Sequence, residues 1–215
     1  MINNKMTIAE AIKTNPDIVD VLSDVGIDYC CGGNRNLSEA IIEKNLELSS
    51  FIDLLNRQET KTNSYIQDAI KLGNEELIDY IIRVHHKKEL NMIEKIDELM
   101  RKILKVHFYS HGKELTAIYH TFLDLKSALI PHFSQEEIVD FPNFLGGEAV
   151  DFDELIKEHE EVGKILRDLE ELTNHYQAPD NACETYKHTF RLLKSLQDDI
   201  HQHVFLENSV LFVRS

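Results

Sequence analysis

From residue 74 to residue 210 apolar side chains recur at three- and four-residue intervals with few interruptions. That period marks one face of an α-helix. Eight glycines and four prolines in 215 residues are too few to punctuate a β-sandwich or barrel. The chain is therefore predicted to be all-α, with long amphipathic helices over 74–105, 112–138, 151–175 and 180–210. Asn74 reads as the cap of the first. A turn holding Pro142, Gly146 and Gly147 separates the second from the third, and Pro179 leads into the fourth. Short connections make the first and second helices antiparallel neighbours, and likewise the third and fourth. The expected architecture over 74–215 is an up-down-up-down four-helix bundle.

Residues 1–60 read as a small helical N-terminal domain. Ile8, Ala11 and Ile12, then Ile18, Val19 and Leu22, keep helical spacing, and Asn15-Pro16 separates the two runs. Gly26 is placed to end the second run in a left-handed cap. Ser38 and Glu39 restart a helix ahead of Ala40, Ile41 and Ile42, and Phe51, Ile52, Leu54 and Leu55 mark a last one. The polar run 57–64 suggests a hinge, and 61–73 is expected to link the two domains. Between Gly26 and Ser38 lie adjacent Cys30 and Cys31 followed by Gly32 and Gly33. They suggest an exposed, flexible, sulfur-bearing turn that could bind or transfer metal, exchange disulfides or pass electrons. Packing of a small domain is the plainer alternative. Cys183 is taken as structural.

Composition excludes several functions. The net charge of −15 opposes binding to nucleic acid or an anionic membrane face. No run of 18 apolar residues occurs, and the N-terminus has no apolar signal segment. Three cysteines are not a secreted disulfide framework. A soluble cytoplasmic protein is expected.

The eleven histidines all fall between positions 85 and 203. Two of them open the same spacing, His132-x-x-x-Glu136 and His203-x-x-x-Glu207, which puts an imidazole and a carboxylate on one helix face. Each pair lies near the C-terminal end of its helix, and in an up-down bundle those ends share a side. On the first helix the face Ile78, Ile81, Met92, Ile96, Leu99, Ile103 includes His85, with His86 rotated by about 100°. On the third, Phe152, Leu155, Val162, Leu166 and Leu169 include His159. A lone histidine on an apolar face is usually a hydrogen-bonded core residue, and His85-x-x-x-Glu89 also fits the spacing without a second role. Four in-register histidines with two buried carboxylates are different, because buried carboxylates require a cation between them. His85, His132, Glu136, His159, His203 and Glu207 are therefore predicted to bind two divalent metals. Nitrogen and oxygen donors without thiolate suit iron, manganese or zinc. No Glu-x-x-His occurs, which separates the pattern from ferritin-like bundles. Pro131, next to a ligand, is expected to bend its helix. Glu158 is a candidate carboxylate behind the ligands, although a solvated helix face is the simpler reading.

The segments DVGIDYCCGG (24–33), RVHH (83–86), PHFSQEE (131–137), EHEEVG (158–163) and HQHVFLENSVLF (201–212) together resemble the repair-of-iron-centres family, hemerythrin-like proteins of the ScdA/YtfE type. The resemblance implies a non-haem di-iron protein of the bacterial cytoplasm that helps restore iron–sulfur clusters under nitrosative and oxidative stress. It implies Glu136 and Glu207 as bridging ligands, oxo- or hydroxo-bridged iron, and damaged or apo iron–sulfur proteins as partners. Nitric oxide or oxygen would be the small ligands, and a homodimer is compatible. Iron donation is the first expectation. Reduction of nitric oxide to nitrous oxide, which would make the chain an enzyme, and a sensing module are the alternatives.

Overall fold

The computed structural model describes residues 1–59 and 65–214. Among the described residues the regular secondary structure is helical, apart from a single β-bridge between Thr7 and Asn36. They form two compact units: Met1–Ile81 with His201–Ser215, and Ile82–Ile200.

The first unit begins with α1 (Ile8–Thr14), α2 (Val19–Asp24), α3 (Leu37–Glu43) and α4 (Leu48–Asn56). Each start is set by a local acceptor for otherwise orphaned amides. Thr7 Oγ1 accepts from the Glu10 amide at 3.1 Å while the Glu10 carboxylate accepts from the Thr7 amide at 2.8 Å, a reciprocal capping box. Asn15 caps the short turn that opens at Pro16, Asn36 caps α3, and the Glu47 carboxylate caps α4. Gly26, at φ +69°, ends α2 as expected, and the Ile27 amide reaches back to the Leu22 carbonyl at 2.8 Å. Ile8, Ile12, Ile18, Leu22, Leu37, Ile41 and Leu55 are fully buried.

This unit continues past the segment expected to be a linker. Residues 60–64 lie outside the described residues. The rest of 61–73 carries a helix, α5 (Tyr65–Ile70), and leads into α6 (Asn74–Tyr80). Gly73, not Asn74, caps α6, and the Glu76 carboxylate accepts from the Gly73 amide at 3.2 Å. The Arg214 guanidinium donates to the carbonyls of Leu72 at 2.8 Å and Ile70 at 2.9 Å, tying the end of the chain to this segment.

The second unit is a helical bundle. Its longest element, α7 (Lys87–Gln135), is two helices joined at a kink where His107 and His111 leave helical dihedrals. That kink is the turn expected near 106–111. Its arms run antiparallel: Asp97 on the first accepts from Tyr119 Oη at 2.6 Å and Lys126 Nζ at 2.7 Å on the second. The helix continues through Pro131 without a non-helical dihedral there. α8 (Phe141–Gly146) takes Pro142 into its first turn, where a missing amide hydrogen costs nothing. Gly147, at φ +73°, then turns the chain toward α9 (Phe152–Leu172), capped by Asp151. α10 (Glu184–Leu206) belongs to this unit as far as Ile200. It runs antiparallel to the first arm of α7, with Asp199 beside Lys88 and Cys183 beside His107. Ile96, Met100, Leu115, Phe122, Leu125, Leu166 and Leu196 are among its buried core.

Candidate metal centre

Helical register is interrupted three times by a single π-helical turn: Ile81–His86, Glu136–Asp140 and Glu207–Leu211. A π turn inserts one residue, which rotates the rest of the helix by about 100°. The first insertion decides which histidine faces the centre. Backwards from the core, Ile103, Met100, Ile96, Ile93 and Glu89 lead at three- and four-residue steps to His86, and all are buried. Projecting the register forward from Ile78 and Ile81, as if the helix were regular, lands on His85 instead.

The second unit gathers three imidazoles around one carboxylate. Glu136 has no exposure to solvent. Its Oε1 lies 3.3 Å from His132 Nε2 and 3.9 Å from His159 Nε2. Its Oε2 lies 3.4 Å from His86 Nε2. The two oxygens thus face two different sets of imidazoles. His85, expected here from register, stands elsewhere in the structure: its Nδ1 is 3.2 Å from Asp199 Oδ2. His86 takes the place beside Glu136, and its ring stacks on Phe133 at 4.4 Å.

Proton positions are set by the groups that stand behind the rings. His132 Nδ1 is 2.6 Å from Glu158 Oε2, and His86 Nδ1 is 2.9 Å from Glu137 Oε1. A carboxylate accepts, so each Nδ1 carries hydrogen, and in the neutral ring each Nε2 presents a lone pair. Those lone pairs aim at Glu136. His132 Nε2 also stands 3.0 Å from His159 Nε2. Two nitrogens about 3 Å apart match an edge of a coordination shell with bonds of about 2.1 Å. Imidazoles backed by carboxylates are the usual arrangement of histidine ligands to metals. The residues present therefore fit a metal, and the nitrogen and oxygen donor set fits iron.

Glu158 fills the role suggested by its position next to His159, but it holds His132. Glu137 and Asp199 escape sequence reading. Their partners are 51 and 114 residues away, beyond any local spacing rule. A cavity of about 530 Å³, lined by Pro131, His132, Asp140, Glu154 and Glu158 among others, reaches the backed face of His132.

The remaining expected ligands lie in the first unit. His203 Nε2 is 2.9 Å from Glu207 Oε1, one turn apart, and both residues are buried. Glu207 opens the third π turn, which packs against the dicysteine turn of the same unit. Asn208 Nδ2 donates to the Cys30 carbonyl at 3.2 Å, and Tyr29 meets His201 and Phe205 edge-on.

The dicysteine turn is more ordered than an exposed loop. Cys30 is buried and Cys31 half-buried, with their sulfurs 3.6 Å apart and reduced. Asp28 Oδ1 accepts from the amides of Cys31 at 3.0 Å and Gly32 at 3.2 Å and from the Cys30 thiol at 3.3 Å. The Cys31 contact and burial push the Cys30 thiol well above its usual range, so Cys30 is held as a thiol at neutral pH. Burial pushes the Asp28 carboxyl up, but the Cys31 and Gly32 amides and the Cys30 thiol outweigh it and hold the group below its ordinary value. A depressed carboxylate stabilises the fold above its unfolded pKa, about 3.9, and loses that contribution as pH falls through the folded value. Asp28→Asn is therefore expected to flatten the acid limb of stability below about pH 4. Urea midpoints measured from pH 6 to pH 2 check this, and an unchanged slope would contradict it.

Both glycines of the turn are required by close approach. A Cβ on Gly32 would stand 2.6 Å from the Asp28 carbonyl oxygen, and one on Gly33 would stand 2.5 Å from Ser209 Oγ. The Asp28 backbone is pinned by the turn it closes. Gly32→Ala is expected to destabilise by about 1–3 kcal/mol, seen as a lower urea midpoint, and an unchanged midpoint would contradict the packing of the turn.

Two family models match the chain. The hemerythrin HHE cation-binding domain matches residues 77–214. ScdA_N, a domain of unknown function, matches residues 4–59. The iron-sulfur cluster repair protein ScdA of Staphylococcus epidermidis is 32% identical over 222 residues, covering 99% of this chain and 98% of the relative. The iron-sulfur cluster repair protein YtfE of Pectobacterium atrosepticum is 28% identical over 222 residues, covering 97% and 96%. YtfE of Escherichia coli is 30% identical over 197 residues, covering 88% and 86%. No helix among the described residues is long and apolar enough to cross a membrane.

Proposed function

The chain belongs to the ScdA/YtfE family of iron-sulfur cluster repair proteins, and from that premise we propose that it is a non-haem two-iron protein that repairs iron–sulfur clusters damaged by nitrosative and oxidative stress by supplying iron. One observation carries the two-iron reading: the oxygens of buried Glu136 face separate imidazole sets, His132 with His159 and His86 alone. A carboxylate so placed is suited to bridge two cations. His203 and Glu207, which repeat the His-x-x-x-Glu pair on the other unit, are proposed to complete the set, with Glu207 as the second bridge. The six ligands are then His86, His132, Glu136, His159, His203 and Glu207.

Iron held there supplies redox chemistry and affinity for nitric oxide or oxygen, and is itself the material of repair. The residues of the chain set how tightly it is held. Glu137 and Glu158 fix the tautomers of His86 and His132 and raise their basicity. The Glu158 carboxylate is reached from the acidic cavity beside His132, which attracts cations and gives them a path to water. Damaged or apo iron–sulfur proteins of a bacterial cytoplasm are the proposed partners, and the reduced cysteines suit that compartment.

The deciding experiment measures iron transfer from the loaded protein to an apo iron–sulfur acceptor and, separately, to a chelator. Faster transfer to the acceptor is expected, and equal or slower transfer would contradict donation. Two metals held by Glu136 and its imidazoles would offer a place for two nitric oxide molecules, which is the basis of the second reading, nitric oxide reduction. Catalytic nitrous oxide in the headspace of reduced protein exposed to nitric oxide would favour it over donation.

A further inference from the structure

His85 and Glu89 form a third His-x-x-x-Glu turn that the centre around Glu136 does not use. In the second unit this turn meets Asp199 of α10. Ligand-capable atoms of His85, Glu89 and Asp199 lie within 4.8 Å of one another. The three residues are 3%, 0% and 5% exposed. His85 Nδ1 is 3.2 Å from Asp199 Oδ2, and Lys88 Nζ is 2.5 Å from Asp199 Oδ1.

The group brings two carboxylates and an imidazole together in a place closed to water, where a cation between carboxylates is favoured. The Lys88 ammonium sits on a flexible stem whose side chain is 55% exposed, while the Asp199 side chain is 5% exposed. Lys88 can therefore swing into solvent as an incoming cation takes its place on Asp199, leaving two hard oxygen donors and an imidazole. That set and its burial match a divalent cation of the borderline or hard class, and no thiolate competes.

We propose that His85, Glu89 and Asp199 form an additional, weaker divalent-cation site, a staging position for Fe²⁺ next to the iron centre, in which the Lys88 ammonium holds the place of the ion until one arrives. Its role as a staging position rests on the reading that the chain holds and supplies iron. The site explains why His85 is buried although His86 takes the position beside Glu136. It also gives iron a second, labile pool, which a donor needs and a tight storage centre lacks.

The experiment titrates iron-loaded protein with Mn²⁺ and follows the loss of the free-ion electron paramagnetic resonance signal, with iron content measured on the same samples. Wild type is expected to take up one Mn²⁺ per chain without losing iron. Asp199→Asn is expected to lose that uptake over the same concentrations while keeping its iron. Lys88→Gln is expected to bind Mn²⁺ several-fold more tightly, because its ammonium no longer competes. No uptake by wild type, or equal uptake by Asp199→Asn, overturns the site. Should Asp199→Asn fail to fold, Lys88→Gln decides, and unchanged affinity there overturns it. A chain that carries no iron would contradict the proposed function, while the difference between wild type and Asp199→Asn would still decide this site.

Discussion

Glu136→Ala is expected to empty the centre of metal. Glu136 is the group that both imidazole sets share, so its loss removes one oxygen donor from each proposed iron at once. It also leaves His86, His132 and His159 with Glu207 as the one proposed carboxylate left to neutralise two dications. The effect should exceed that of losing any single histidine. Binding of metal stabilises the folded chain in proportion to the logarithm of its excess over the dissociation constant, by about 2.7 kcal/mol at a hundredfold excess. Wild type is therefore expected to melt several degrees higher with iron than without, and Glu136→Ala to melt at one temperature in both. Metal analysis and paired melting curves measure the two effects. Full iron content in the variant would contradict the shared-carboxylate geometry.

The second large effect separates neighbours. His86→Ala is expected to lose iron on the Oε2 side of Glu136 and to weaken metal binding by about 100-fold or more, beyond the 10–100-fold typical of residues that only support a ligand. His85→Ala is expected to keep the iron of the centre, because His85 faces Asp199. Iron content after dialysis against a weak chelator distinguishes them. The reverse ranking would restore the simpler register and contradict the role of the π turn. The contrast is sharp because both side chains are buried, 3% and 0% exposed, so burial alone cannot tell them apart.

That pair of residues shows how far spacing reaches. His132 and Glu136, four apart on one helix, come together as the period demands, and His159 meets them from the face of Leu155, Val162 and Leu166. His203 and Glu207 do the same on α10. These placements depend only on 3.6 residues per turn, which local sequence carries. The structure sets His86, and not His85, beside Glu136: the π insertion at Ile81–His86 has no sequence mark, and register projected across it is off by one residue. The buried face beyond it, from His86 through Ile93 to Ile103, is the available signal, and register taken from the core outward finds it.

Boundaries are less legible than helices. The polar run 57–64 looks like a division between domains, yet α5 and α6 join the first unit, tied by Arg214 from the far end of the chain. A tie across 142 residues is invisible to composition. Pro131 lies within helical dihedrals although proline costs a helix one backbone hydrogen bond. The dicysteine turn is recognisable as special in the sequence, but its burial is not, because the partners that close it include Asn208 and Ser209 from the other end of the chain.

Two bridged irons on histidine and carboxylate ligands are the proposed cofactor of this chain. Iron analysis with Mössbauer spectroscopy on protein purified without air tests it most directly. About two irons per chain are expected, in two high-spin environments of nitrogen and oxygen ligation that couple magnetically through their bridge. Less than about one iron per chain after anaerobic loading, or iron retained in full when Glu136 and Glu207 are both replaced by alanine, would contradict it.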